Sequence, residues 1–151
     1  MKTLVLGIGS PIMSDDAIGL RTLAELEKMN LENVTLEEAC TSGLDLIEIM
    51  IGYDRVIIID AIMNYADKAG TVMVLDSEAF SNSVHGVNAH EANIPSTIAL
   101  GRKIAPDDFP KDIKFVAVEV NDVFTVNDHM TPEVEAALPE AVNVVLKLIN
   151  E

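Results

Sequence analysis

Apolar and polar positions follow two periods along this chain, and their order predicts the fold. Thr3 to Ile8 is a continuous apolar run that stops at Gly9-Ser10-Pro11. That is the pattern of a strand buried on both faces, followed by a turn. Asp15 and Asp16 then stand at the entry to a helix predicted from Ala17 to Asn30, with Ala17, Leu20, Leu23 and Ala24 on one face. A second strand is predicted at Val34 to Cys40, a turn at Thr41-Ser42-Gly43 and a short helix at Leu44 to Met50. Arg55 to Ile62, RVIIIDAI, carries four β-branched residues in a row. This is the strongest strand of the chain and belongs in the sheet centre, ending near Asp60.

The second half is more polar. Asn64 to Gly70 reads as a loop and Thr71 to Asp76 as a fourth strand. The gap from strand three is too short for a helical crossover, which predicts an antiparallel strand at an edge. Ser77 to Asn88 has no period and is predicted to be a loop, with His90 and Glu91 at its end. A helix follows from Pro95 to Lys103, with Pro95 in its first turn. Asp107 to Lys111 is a loop, Asp112 to Glu119 the fifth strand, and Asn121 to Met130 an irregular polar stretch. Thr131-Pro132-Glu133 starts the last helix with an N-cap, a proline and an acid. Val134, Leu138, Ala141, Val145 and Leu148 form its apolar stripe, and Pro139 is expected to kink it or split it. The order of elements predicts a three-layer αβα sandwich: a mostly parallel five-stranded sheet with one antiparallel edge strand, in a single domain over residues 1–151.

Charge narrows the partners. Ten Lys and Arg face 25 Asp and Glu, for a formal charge of -15. Nucleic acid and anionic membrane surfaces are disfavoured, because both need clustered basic residues. A basic protein partner or a metal ion fits. With one cysteine, Cys40, no internal disulfide forms. A monomer in the cytoplasm is expected, with no signal peptide and no spanning helix.

The chemistry gathers at one edge of the predicted sheet. Asp15 and Asp16 follow strand one and Asp60 ends strand three; in open α/β sheets these strands are commonly neighbours and ligands bind at their carboxyl ends. His90 can reach that edge from the loop before the third helix. Two carboxylates and an imidazole suit Zn, Ni, Mn or Fe. The bland alternatives are a helix cap for one of the acid pair, a cap or solvated strand end for Asp60, and a surface loop for His90, as for His85 and His129. A dinucleotide site fails: after Gly7 and Gly9 the third glycine falls on Ile12, and two acids stand where a pyrophosphate would lie. No Gly-x-Ser-x-Gly elbow is present, and nothing marks Cys40 as activated. A receiver-like Mg-binding phosphoacceptor domain is the competing reading. It resembles this chain in its acid pair and strand-three aspartate but requires a lysine ending strand five. Here that strand runs out through Val118-Glu119-Val120-Asn121-Asp122.

Together the segments LVLGIGSPIMSDDAIG, Thr41-Ser42-Gly43, IIIDAI, His90 and TPEVEAALPEAV resemble the hydrogenase maturation endopeptidases, nearly end to end. The resemblance implies the same sandwich and an enzyme that removes the C-terminal peptide of a [NiFe]-hydrogenase large-subunit precursor after nickel insertion. It carries the nickel-sensing ligands onto Asp16, Asp60 and His90. The nickel arrives with the precursor, and zinc or cadmium can stand in for it in vitro. Two positions depart from the family: Asp16 where a glutamate is often found, and Cys40 where a glycine is common. Glu38, near the end of strand two, is a further candidate for the pocket rim.

Overall fold

The computed structural model describes residues 1–39, 44–83 and 89–151. Five strands form one sheet: β1 (Thr3–Ile8), β2 (Val34–Ala39), β3 (Arg55–Ile62), β4 (Val72–Asp76) and β5 (Asp112–Glu119), in the order β2-β1-β3-β5-β4. β1, β2, β3 and β5 run parallel, and β4 pairs antiparallel with β5 at the edge. The helices are α1 (Ile18–Glu27), α2 (Leu44–Met50), α3 (Ser77–Ser83), α4 (Ala89–Ile104) and α5 (Pro132–Ile149). This is the predicted sandwich, and it separates the chain from a receiver domain. In that fold the strand order is 2-1-3-4-5, whereas here β5 lies between β3 and β4.

Alternation along the central strands splits the core into two layers. Val5, Ile57, Ile59, Val116 and Val118 pack with Ile18, Leu23 and Leu26 of α1 and with the buried stripe of α5. Leu4, Leu6, Val56, Ile58 and Phe115 pack on the other face with Leu46, Ile47, Phe80, Ile94 and Ile98, from α2, α3 and α4. Both faces are thus covered, which is why β3 carries no polar residue between Arg55 and Asp60.

α1 lies unusually close to the sheet. A Cβ added at Gly19 would stand 2.4 Å from the Ile59 carbonyl oxygen and 2.6 Å from that of Ile8; one added at Gly7 would stand 2.7 Å from the Gly19 carbonyl oxygen. The two glycines let the start of the helix rest on the backbones of β1 and β3. The segment just before α1 is thereby pressed towards the end of β3.

Three expectations are corrected. Ser77–Ser83 is a helix, not a loop. Its order comes from a cap and one aromatic anchor: Asp76 Oδ1 accepts the Ala79 N–H at 2.7 Å, and Phe80 stacks on Phe115 with ring centroids 4.0 Å apart. Neither leaves a helical period in the sequence. α4 begins at Ala89, so Pro95 lies inside it, not in its first turn. The ring's fixed φ suits the helix, at the cost of one ladder hydrogen bond. Pro139 does not split α5, which runs unbroken from Pro132 to Ile149. Pro139 is on the exposed side of α5, so the backbone groups it disturbs can turn to water. The Thr41-Ser42-Gly43 turn, Cys40 and His85 lie outside the described residues.

Candidate active site

The acid pair divides its labour. Residues Ser14–Ala17 form a 3-10 helix between β1 and α1, and neither aspartate caps α1, whose N-cap is Ala17 without a side-chain bond. Asp15 is fully buried, at 0% exposure. Its Oδ2 accepts the backbone N–H groups of Asn121 (2.9 Å) and Asp122 (3.0 Å). Its Oδ1 accepts the Thr131 N–H at 2.6 Å, and the Thr131 hydroxyl lies at 3.0 and 2.9 Å from the two oxygens. Thr131 is the N-cap of α5 as predicted, yet its hydroxyl makes no capping bond to that helix. Asp15 is therefore the clamp that ties the 3-10 helix to the chain between β5 and α5.

Asp16 turns the other way. It is 2% exposed, and its Oδ2 accepts the Ser10 N–H at 2.9 Å. Gly9 makes room for this: at φ +150, a Cβ there would stand 2.0 Å from the Asp16 carbonyl oxygen. The Gly9-Ser10-Pro11 turn and the 3-10 helix are thus folded onto each other at the carboxyl end of β1, and the 3-10 helix lies against β3.

Asp60 is 1% exposed, so the solvated strand end is excluded. β3 continues past it to Ile62. By alternation its side chain shares the face of Ile58 and Ile62, the face covered by α2, α3 and α4. Its Oδ1 accepts the Ala61 N–H at 2.9 Å. Gly7 registers with Ile59, so Asp60 is level with the last residue of β1, beside the turn that holds Asp16.

His90 is the second residue of α4. Arg102, near the other end of α4, donates to the Ser77 hydroxyl at 3.3 Å, at the amino edge of the sheet. A helix of 16 residues spans about 24 Å, the length of the strands, which carries residue 90 back towards the carboxyl edge. The His90 side chain itself lies outside the described residues. Glu38 is exposed in β2 and registers with Gly7. His129 is exposed beside the carboxylate of Asp128 at 3.3 Å, and its backbone carbonyl accepts the Ser14 hydroxyl at 3.1 Å.

One residue at this edge escaped the sequence reading. Glu119 ends β5, is 5% exposed, and accepts the N–H groups of Asn64, Tyr65 and Ala66 at 3.0, 3.0 and 2.6 Å. It pins the loop after β3. The available signal was a carboxylate at the end of a strand otherwise buried on both faces, a position that calls for donors.

Among the described residues, which leave out the His90 side chain, no three His, Cys, Asp or Glu are grouped to hold a metal ion; by donor chemistry, the carboxylates of Asp16 and Asp60 suit a divalent ion of the Zn or Ni class. An ionised carboxylate accepts through both oxygens, so an N–H on one does not prevent it from ligating a metal. Two carboxylates with an imidazole make a mixed O/N set.

The hydrogenase maturation protease family model, HycI, matches residues 20–148. The chain belongs to the hydrogenase maturation protease family. The hydrogenase 2 maturation protease of Escherichia coli K12 is 30% identical over 154 residues, covering 100% of this chain and 92% of that protein. The hydrogenase maturating endopeptidase HybD from E. coli superposes with a TM-score of 0.89 at 29% identity, covering 99% and 93% of the two chains. The HybD protease from Thermococcus kodakarensis shares the fold, with a TM-score of 0.81 at 24% identity over 98% and 99%. This maturation protease is accordingly an endopeptidase. Among its described residues no helix is long and apolar enough to cross a membrane.

Proposed function

We propose that this maturation protease removes the C-terminal peptide from the large-subunit precursor of a [NiFe]-hydrogenase after nickel has been inserted, and that Asp16, Asp60 and His90 recognise that nickel. The observation that carries the reading is the placement of two buried carboxylates, Asp16 and Asp60, at the carboxyl ends of the neighbouring strands β1 and β3. α4, which bears His90, covers the face onto which Asp60 projects. The nickel belongs to the substrate. Three ligands leave room in its coordination shell for those the precursor already supplies, so docking joins recognition to timing. An ion held there can polarise the scissile carbonyl or activate a water. The enzyme acts as a monomer in the cytoplasm, with the whole chain as one domain.

No nucleophile of the chain is assigned. Ser14 spends its hydroxyl on the His129 carbonyl, and the sequence around Cys40 carries no activating signature. The test is purified enzyme with precursor prepared with and without nickel, read by the mass of the product. Cleavage of the nickel-loaded precursor alone is expected, unaffected by a serine-protease inhibitor or by Cys40→Ser. Efficient cleavage of nickel-free precursor, or loss of activity in a folded Cys40→Ser enzyme, contradicts the reading.

A further inference from the structure

Basic residues avoid the edge of the sheet that carries Asp16 and Asp60. They stand at strand beginnings (Lys2, Arg55, Lys114) and helix ends (Lys28, Lys103, Lys147), all at the amino edge of a parallel sheet. Near the carboxyl edge are Arg21, already paired with Glu135 at 2.8 Å, and Lys68 in the loop after β3. That edge also holds Asp122 and Asp128, so its field is strongly negative.

The same edge exposes apolar side chains: Ile12 at 57%, Phe124 at 65% and Val126 at 75%. Ile12 and Val126 flank a single β-bridge. Met13 and Asn127 form a parallel bridge, with Asn127 N–H donating to the Ile12 carbonyl at 2.9 Å and Ser14 N–H to the Asn127 carbonyl at 3.0 Å. Ile12 and Val126 each precede a bridged residue and stand side by side. Phe124 is presented by a turn in which Asp122 Oδ1 accepts the N–H groups of Phe124 (2.9 Å) and Thr125 (3.0 Å). The Thr125 hydroxyl and then these backbone groups hold the Asp122 carboxyl below its usual range. The Asp15 clamp ties the segment after Ile12 to Asn121 and Thr131, on either side of Phe124 and Val126, and Asp16 follows Ile12 by four residues.

We propose that Ile12, Phe124 and Val126 form the docking surface for the precursor, and that the segment docking there is apolar and flanked by lysine or arginine. This rests on the proteolytic reading above. Apolar contact supplies the affinity at the centre of such a patch, and charge complementarity selects the partner and speeds its arrival. A negative rim favours a positively charged partner and repels an acidic one.

The test is steady-state cleavage of the nickel-loaded large-subunit precursor by the wild type and by Phe124→Ser/Val126→Ser, at about 50 and 500 mM NaCl. Both positions are exposed, and circular dichroism checks that the variant is folded. The expected result is a KM raised on the order of ten- to a hundred-fold with kcat nearly unchanged, the signature of lost uniform binding. Wild-type KM should also rise with salt. An unchanged variant KM, with the wild type active, overturns the docking surface and leaves the proteolytic reading standing. A KM insensitive to salt overturns the basic flank. A wild type that cleaves no precursor overturns both readings together.

Discussion

Asp60→Asn and His90→Ala are each expected to lower processing of the nickel-loaded precursor by about a hundred- to a thousand-fold while the chain stays folded. The magnitude follows from the ion's contribution, several kcal/mol at about 1.4 kcal/mol per factor of ten. Asparagine keeps the shape of Asp60 and an oxygen for the Ala61 N–H, 2.9 Å away in the native chain; what it removes is the charge that a cation reads. Alanine at position 90 favours α4, because no residue has a higher helix propensity. Cleavage is followed by gel shift and mass, and folding by denaturant midpoint. Normal processing by both variants contradicts the assignment of the site.

Asp15→Ala is expected to act through the fold, reducing stability by about 3–5 kcal/mol, since each buried donor left unpaired costs roughly 1–3 kcal/mol. Three backbone N–H groups and the Thr131 hydroxyl converge on its carboxylate. Against a total stability of about 5–15 kcal/mol, the loss is large. Asp15→Asn should fare little better, because its amide NH2 replaces an acceptor among donors. Asp16→Asn should change stability less, because an amide oxygen of the same shape can still accept the Ser10 N–H, 2.9 Å from the native carboxylate. Equilibrium urea unfolding of the three variants distinguishes the roles. Equal losses for Asp15→Asn and Asp16→Asn, or a loss below about 1 kcal/mol for Asp15→Ala, contradict this division of labour.

Where local pattern decides the structure, the sequence could be read. The apolar runs of β1, β3 and β5 place the centre of the sheet, and the short gap before β4 makes it antiparallel. Thr131-Pro132 marks the start of α5. The resemblance to the maturation endopeptidases, read from the same segments, is matched by the family to which the chain belongs. Local pattern fails where the deciding partner is distant. Two adjacent aspartates look alike until residues 121–131 arrive to claim Asp15. α3 is held by Asp76 and by a stack on Phe115, so Ser77 to Ser83 carries no period. Glu119 is a strand end whose second role, pinning residues 64–66, is hidden in the sequence because its three donors lie more than 50 residues earlier in the chain.

A crystal soaked with Cd or Zn, with its anomalous scattering measured, shows whether Asp16, Asp60 and His90 share one ion site at the carboxyl edge. A shared site gives a single dominant anomalous peak within about 2.0–2.3 Å of carboxylate oxygens of Asp16 and Asp60 and an imidazole nitrogen of His90 for zinc. The peak should vanish in Asp60→Asn crystals. An ion bound by other residues, or His90 turned to the opposite edge of the sheet, would contradict it.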